Sequence, residues 1–160
     1  MSAEENTPED AGEWTQTVAE MRELAAEREA AGWTVETVRA GDTAPEPPEL
    51  GESGRFGLVH TVPGSAEAGV RSVLQDGVVE EYAVHRRTAG STRFLVTELR
   101  DPDAKRVLLV AGAVDLDDAS DLAAAARERG TMYTHVQLLD WTHLGTVRHD
   151  DPAAFFPDLA

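Results

Sequence analysis

The run Arg106-Val107-Leu108-Leu109-Val110-Ala111-Gly112-Ala113-Val114, followed at once by Asp115-Leu116-Asp117-Asp118, decides the fold. Near-continuous apolar character is the pattern of a strand buried on both faces at the middle of a sheet. The acids after it open a helix over Asp115 to Arg129. Unpaired amides and the helix dipole favour carboxylates in a first turn, and the alanines Ala123 to Ala126 have high helix propensity. Basic residues close the last turn and Gly130 terminates it.

Upstream, Val78 to Arg87 and Thr92 to Arg100 read as a hairpin joined by Thr88-Ala89-Gly90-Ser91. That loop sets Arg86 opposite Arg93 and Tyr82 opposite Thr97. Phe56 to Val62 is a strand that stops at Pro63-Gly64. Ser65 to Asp76 is a helix with Gly69 inside it, at a cost of about 1 kcal/mol relative to Ala. Trp33 to Arg39 alternates as a strand. Residues 8–31 form a helix capped by Thr7, with Pro8 in the first turn and Trp14, Val18, Met21 and Ala25 on one stripe. Ala40 to Gly54, with three Pro, three Gly and four acids, reads as a loop. Downstream come strands at Thr131 to Leu139 and His143 to His149, turning at Asp140-Trp141-Thr142, then a hydrophobic end-piece at Phe155-Phe156-Pro157. The order predicts an α+β fold, a mostly antiparallel sheet of five to seven strands with two or three helices packed on it. It is expected to form a single domain over residues 1–160, with an acidic tail at 1–10 and the loop at 40–54.

Composition bounds the function classes. Thirty Asp and Glu face fourteen basic residues, of which only Lys105 is lysine, and the formal net charge is -16. At about 1 M salt the Debye length is roughly 3 Å, so crowded carboxylates hardly repel. The composition therefore predicts a protein shaped for concentrated salt. Residues 1–52 hold fourteen acids against three bases, residues 53–160 sixteen against eleven, a skew read as halophilic solvation rather than a tail for a basic partner. Cysteine is absent, which excludes disulfides, thiolate metal sites, iron–sulfur clusters and cysteine nucleophiles. The acidic start lacks the pattern of a secretory signal, and the longest apolar run, Val107 to Val114, is too short to cross a bilayer, so a cytoplasmic location is expected.

Reactive motifs are lacking. No Walker loop, Gly-x-Gly-x-x-Gly or Gly-x-Ser-x-Gly turn occurs. Glu80 and Glu81, adjacent in a strand, point to opposite faces and cannot act as a pair. Asp115, Asp117, Asp118 and Asp121 are explained as helix-start acids without a bound cation. His60, His135 and His149 with Asp150 supply a possible metal set from separate strands, the basis of a metal-assisted hydrolase as an alternative; hydrogen-bonded core histidines are the simpler explanation. His85, Arg86, Arg87, Arg93, Arg100, Lys105 and Arg106 gather positive charge. RNA or ribosome binding is a second alternative, weighed against pairing with the chain's own acids. The leading expectation is a non-catalytic binding or scaffold domain without a cofactor, acting as a homo-oligomer or with a protein partner. Its candidate binding residues are Tyr82, His85, Arg86, Arg93, Tyr133 and His135.

The order of the first eight elements resembles that of roadblock and longin domains, scaffolds for dimerisation and partner binding. The chain also resembles a family of small, acidic, uncharacterised haloarchaeal proteins over most of residues 14–157. That resemblance rests on Gly57-Leu58-Val59-His60 with Val62-Pro63, on Ala124 to Gly130 leading to Thr134-His135, and on His149-Asp150-Asp151-Pro152 with Phe155-Phe156-Pro157. It implies no activity, cofactor or catalytic residue, and it agrees with the salt argument.

Overall fold

The computed structural model describes residues 8–48, 56–74, 79 and 81–158. The Thr7 cap, most of the acidic tail, residues 49–54 of the expected loop, residues 75–76 and 78, and Glu80 lie outside the described residues.

Helix α1 (Pro8–Ala30) leads through a turn to β1 (Thr34–Arg39), then β2 (Asp42–Glu46) and β3 (Gly57–Val62). A short 3-10 turn at Gly64–Ala66 runs into α2 (Glu67–Leu74). The hairpin β4 (Glu81–Ala89) and β5 (Thr92–Asp101) precedes β6 (Arg106–Asp115), α3 (Leu116–Arg129), β7 (Met132–Leu138) and β8 (His143–His149). The strands form two four-stranded sheets, ordered β1-β6-β5-β4 and β2-β3-β7-β8. β1 runs parallel to β6 and β3 parallel to β7, while the other neighbours are antiparallel. The expectation of one mostly antiparallel sheet of five to seven strands is therefore wrong. The chain builds two mixed sheets, because β1 pairs in parallel with β6, and β3, besides its antiparallel partner β2, pairs in parallel with β7, each far along the sequence.

β6 occupies the central position its composition demands: Val107, Leu109 and Ala111 are buried on one face, Leu108, Val110 and Val114 on the other. α1 covers the first face with Val18 and Met21 against Val96, Val107 and Leu109. The opposite face packs on the second sheet in two apolar clusters. One joins Leu99, Leu108 and Val110 to Val62, Val136, Val147 and the α2 residues Val70, Val73 and Leu74. The other joins Leu95 and Val114 to Leu58, Met132, Phe155 and the α3 residues Leu122 and Ala126.

α3 is stopped at both ends by the residues its sequence marks. The Asp115 carboxylate accepts from the Asp117 amide at 2.8 Å, and Gly130, at φ 72°, donates its N–H to the Ala126 carbonyl. The β4–β5 turn is two residues long, Gly90-Ser91, with Gly90 at φ 61°. It sets Arg86 opposite Leu95, Tyr82 opposite Leu99 and Arg93 opposite Thr88, a register two residues away from the expected one. A two-residue slip keeps every side chain on its face, so the error changed the cross-strand neighbours and not the sidedness. The loop expected over 40–54 is corrected too, since Asp42–Glu46 pairs with β3 as an edge strand, a position where Pro45 is tolerated.

Candidate functional site

Three places concentrate polar or exposed reactive character: the interior between the sheets, the underside of α1, and the tip of the β7–β8 hairpin.

In the interior, strand alternation turns Leu58, His60 and Val62 of β3 inward, and His60 is fully buried. Its ring fits because β6 has Gly112 opposite: a Cβ there would lie 2.4 Å from the Thr43 hydroxyl and 3.0 Å from the His60 ring. His60 Nδ1 and the Thr43 hydroxyl are hydrogen-bonded at 2.8 Å. His149 of β8, also fully buried, bonds through Nε2 to the Thr134 hydroxyl at 2.6 Å and packs against Tyr82 and Phe155, ring centroids 4.3 and 4.8 Å away. His60 Nε2, His149 Nδ1 and the hydroxyl of buried Thr97 find no hydrogen-bond partner among the described residues. Burial, followed by the charges of neighbouring histidines, pushes His60 down to about 4 and His149 down to about 3. Both rings are neutral at pH 7 and closed to solvent, so neither meets a substrate in this conformation.

His135 projects from the other face of β7, where Thr134 and Val136 on either side of it are buried inward. It stacks on Tyr133 at 6.0 Å and bonds to the Thr146 hydroxyl at 3.0 Å. Asp150 is exposed and pairs with Arg148 at 3.3 Å. The four residues of the possible metal set thus divide between two faces of one sheet and the surface. Among the described residues no three His, Asp or Glu side chains are placed to hold a metal ion together.

The six candidate binding residues divide as well. Tyr82, Arg86 and Arg93 lie under the C-terminal end-piece. The Tyr82 hydroxyl accepts from the Asp151 amide at 2.9 Å and Arg86 donates to the Ala154 carbonyl at 3.0 Å. Buried Arg93 donates to the Phe155 carbonyl at 2.8 Å and the Asp158 carboxylate at 2.7 Å. These bonds clamp Phe155 and Phe156 into the core. Tyr133 and His135 sit on the far side of the second sheet, and His85 faces α1. No common face joins Tyr82 and Arg86 to Tyr133 and His135.

Under α1, Glu98 of β5 is fully buried. Arg28 donates to it at 2.6 and 3.2 Å, the His85 ring lies at 3.1 Å and Arg100 at 3.7 Å. Burial alone would raise this carboxyl, but the hydrogen bonds from His85 and Arg28 and the charges of Arg28 and Arg100 outweigh it and set the pKa to about 2. Arg87 joins α1 to β4 through Glu20 and Glu13. The hairpin cations, for which nucleic-acid binding was the alternative to pairing with the chain's own acids, serve largely as internal partners: His85, Arg87, Arg93 and Arg100 meet carboxylates of this chain, and Arg106 meets the Ser72 carbonyl.

The hairpin tip was not singled out by sequence, although a signal existed in two large apolar residues flanking Asp140 within a turn. Leu139 is 85% and Trp141 79% exposed, the exposed large hydrophobic side chains of the described residues. Trp141 has φ 76°, a left-handed conformation that a bulky residue adopts at a cost. The turn is fixed by backbone bonds from Leu138 to Thr142 and from Trp141 to Leu138, and by the Asp140 carboxylate, which accepts from the Thr142 hydroxyl at 2.7 Å and amide at 3.1 Å. Those bonds hold Asp140 below its ordinary pKa. Beside the tip lies an open, mainly apolar groove of ≈ 430 Å³, lined by Trp14, Ala40, Val62, Pro63 and Leu139 with Arg39. A second cavity of ≈ 380 Å³ lies between α3 and the end-piece, and none of the unpartnered buried polar atoms lines it.

Among the described residues no helix is long and apolar enough to cross a membrane. No curated protein and no solved structure matches the chain. One family model matches residues 2–157, nearly the whole length, and the chain therefore belongs to the family of unknown function DUF7529.

Proposed function

We propose that this chain is a non-catalytic binding domain that associates with itself and works in concentrated salt. The observation that carries the reading is the fixed, exposed pair Leu139 and Trp141, apolar surface held outward on a chain of net charge -16. Exposed apolar patches of this kind mark interaction sites, and Trp is the side chain most often found to anchor them. The distribution of titratable groups points the same way. Two histidines of the possible metal set, His60 and His149, are sealed in the interior away from His135, and Glu98 is consumed by an internal ion-pair network.

Light scattering on the full chain at micromolar concentration in about 2–3 M KCl, where screening is strong, should give twice the chain mass. A strict monomer under those conditions contradicts the reading. Dialysis into dilute buffer should then expand or unfold the protein as its carboxylates lose their counterions. Circular dichroism across a salt series reads this, and a signal that stays flat down to low salt removes the salt argument.

A further inference from the structure

The hairpin tip and its neighbouring groove complement each other. The tip offers two apolar side chains flanking a carboxylate, Leu139-Asp140-Trp141. The groove offers apolar walls from Trp14, Ala40, Val62 and Pro63 and a cation, Arg39, at its rim. Arg39 is exposed and makes no ion pair with a carboxylate among the described residues, unlike Arg28, Arg87, Arg93 and Arg100. Asp140 is likewise exposed, and its hydrogen bonds to Thr142 leave its charge outward.

Projection and recess share one face, since Leu139 belongs to both. A two-fold axis through that face sets each copy's tip over the other's groove and satisfies both contacts at once. This closes the assembly at two copies, whereas projection and recess on opposite sides of the molecule would propagate into a filament. A second copy also solves a charge problem. A strongly acidic chain can meet another like itself closely only where carboxylates are sparse, and here the facing charges are of opposite sign. A contact pair of that kind is screened less by salt than charges in open solvent.

We infer that the surface of self-association is this face, with Trp141 of each copy seated in the groove beside Arg39 of the other and Asp140 opposite that arginine. The inference rests on the self-associating reading above and adds its location and symmetry. The left-handed backbone at Trp141 then has a purpose: it holds the indole outward, ready to dock, so little ordering is lost on binding.

The test uses the full chain in concentrated KCl and compares wild type, Trp141→Gly and Arg39→Glu by sedimentation equilibrium, with thermal unfolding of each. Glycine suits a positive φ, so Trp141→Gly should weaken the dimer by at least about tenfold, while the stability of the dissociated monomer, compared at a concentration where wild type and variant are both monomeric, should be unchanged or higher. Arg39→Glu places an acid against Asp140 and should weaken it as well. A wild-type dimer whose affinity neither substitution alters overturns the assigned surface and leaves the self-associating reading standing. A wild-type monomer overturns that reading and this inference together. A Trp141→Gly monomer markedly less stable than the wild-type monomer shows that the indole supports its own fold, and the docking role is then withdrawn.

Discussion

Replacing Glu98 by Gln should destabilise the protein by about 3 kcal/mol, because removing one member of a buried ion-pair network leaves its partners uncompensated. Glu98 is fully buried and receives Arg28, His85 and Arg100 together. The low end of the usual range applies, since Arg28 and Arg100 keep 26% and 25% of their side-chain surface in solvent and can rehydrate when the carboxylate is gone. The loss should fall on α1 in particular, since Arg28 belongs to its last turn and fixes it to the sheet. Denaturant unfolding measures the effect. The double change Glu98→Leu with Arg28→Leu should recover much of it, because well-packed apolar pairs commonly match buried ion pairs in stability. A single-variant cost below about 1 kcal/mol, the level of an exposed pair, would mean that Glu98 is not sealed under α1.

Acidification should destabilise the fold well above the pH at which carboxylates titrate. His60 and His149 have folded-state pKa values of about 4 and about 3, below the 6.5 of a free imidazole. Between those values the unfolded chain binds more protons than the native one, so stability falls as pH drops below 6.5. At pH 4.5 the loss amounts to about 2–3 kcal/mol for each ring and about 5 kcal/mol together, a large part of the stability of an ordinary domain. Glu98 contributes in a lower window. Its folded pKa is depressed from 4.5 to about 2, so its share is present above 4.5 and is lost as pH falls toward 2. Denaturant midpoints at constant high salt should decline steadily from pH 7 to 4.5. A midpoint flat across that range contradicts the burial of the two rings.

What the sequence disclosed, and what it withheld, follows from how local each signal was. β6 and α3 were legible because an apolar run, a capping Asp115 and a terminating Gly130 act within a few residues of themselves. β2 was not, because Asp42-Thr43-Ala44-Pro45-Glu46 has no alternation of its own and owes its form to pairing with β3. The division into two sheets was hidden for the same reason: β1 finds β6, and β3 finds β7, some seventy residues away, and no short-range pattern marks a parallel partner. At the site level, the expectation that the hairpin cations meet the chain's own acids was sound, whereas their partners were invisible. Arg28 and Glu98 stand seventy residues apart. The histidines were rightly placed on strands, but whether a ring points inward depends on the opposite sheet, and His60 turns inward where Gly112 leaves room. Trp141 was read as part of a turn; its exposure and left-handed backbone appear only in three dimensions.

His60 and His149 are sealed in the interior, and the proposed surface of self-association lies apart from them at the hairpin tip. A histidine-resolved NMR titration of the full chain in concentrated KCl tests this most directly. The ring signals of His60 and His149 should keep their neutral positions from pH 8 down to about pH 5, as their low pKa values require. Titration of both rings near 6.5, the value of a free imidazole, would show that water and small molecules reach them and that the interior is an open site.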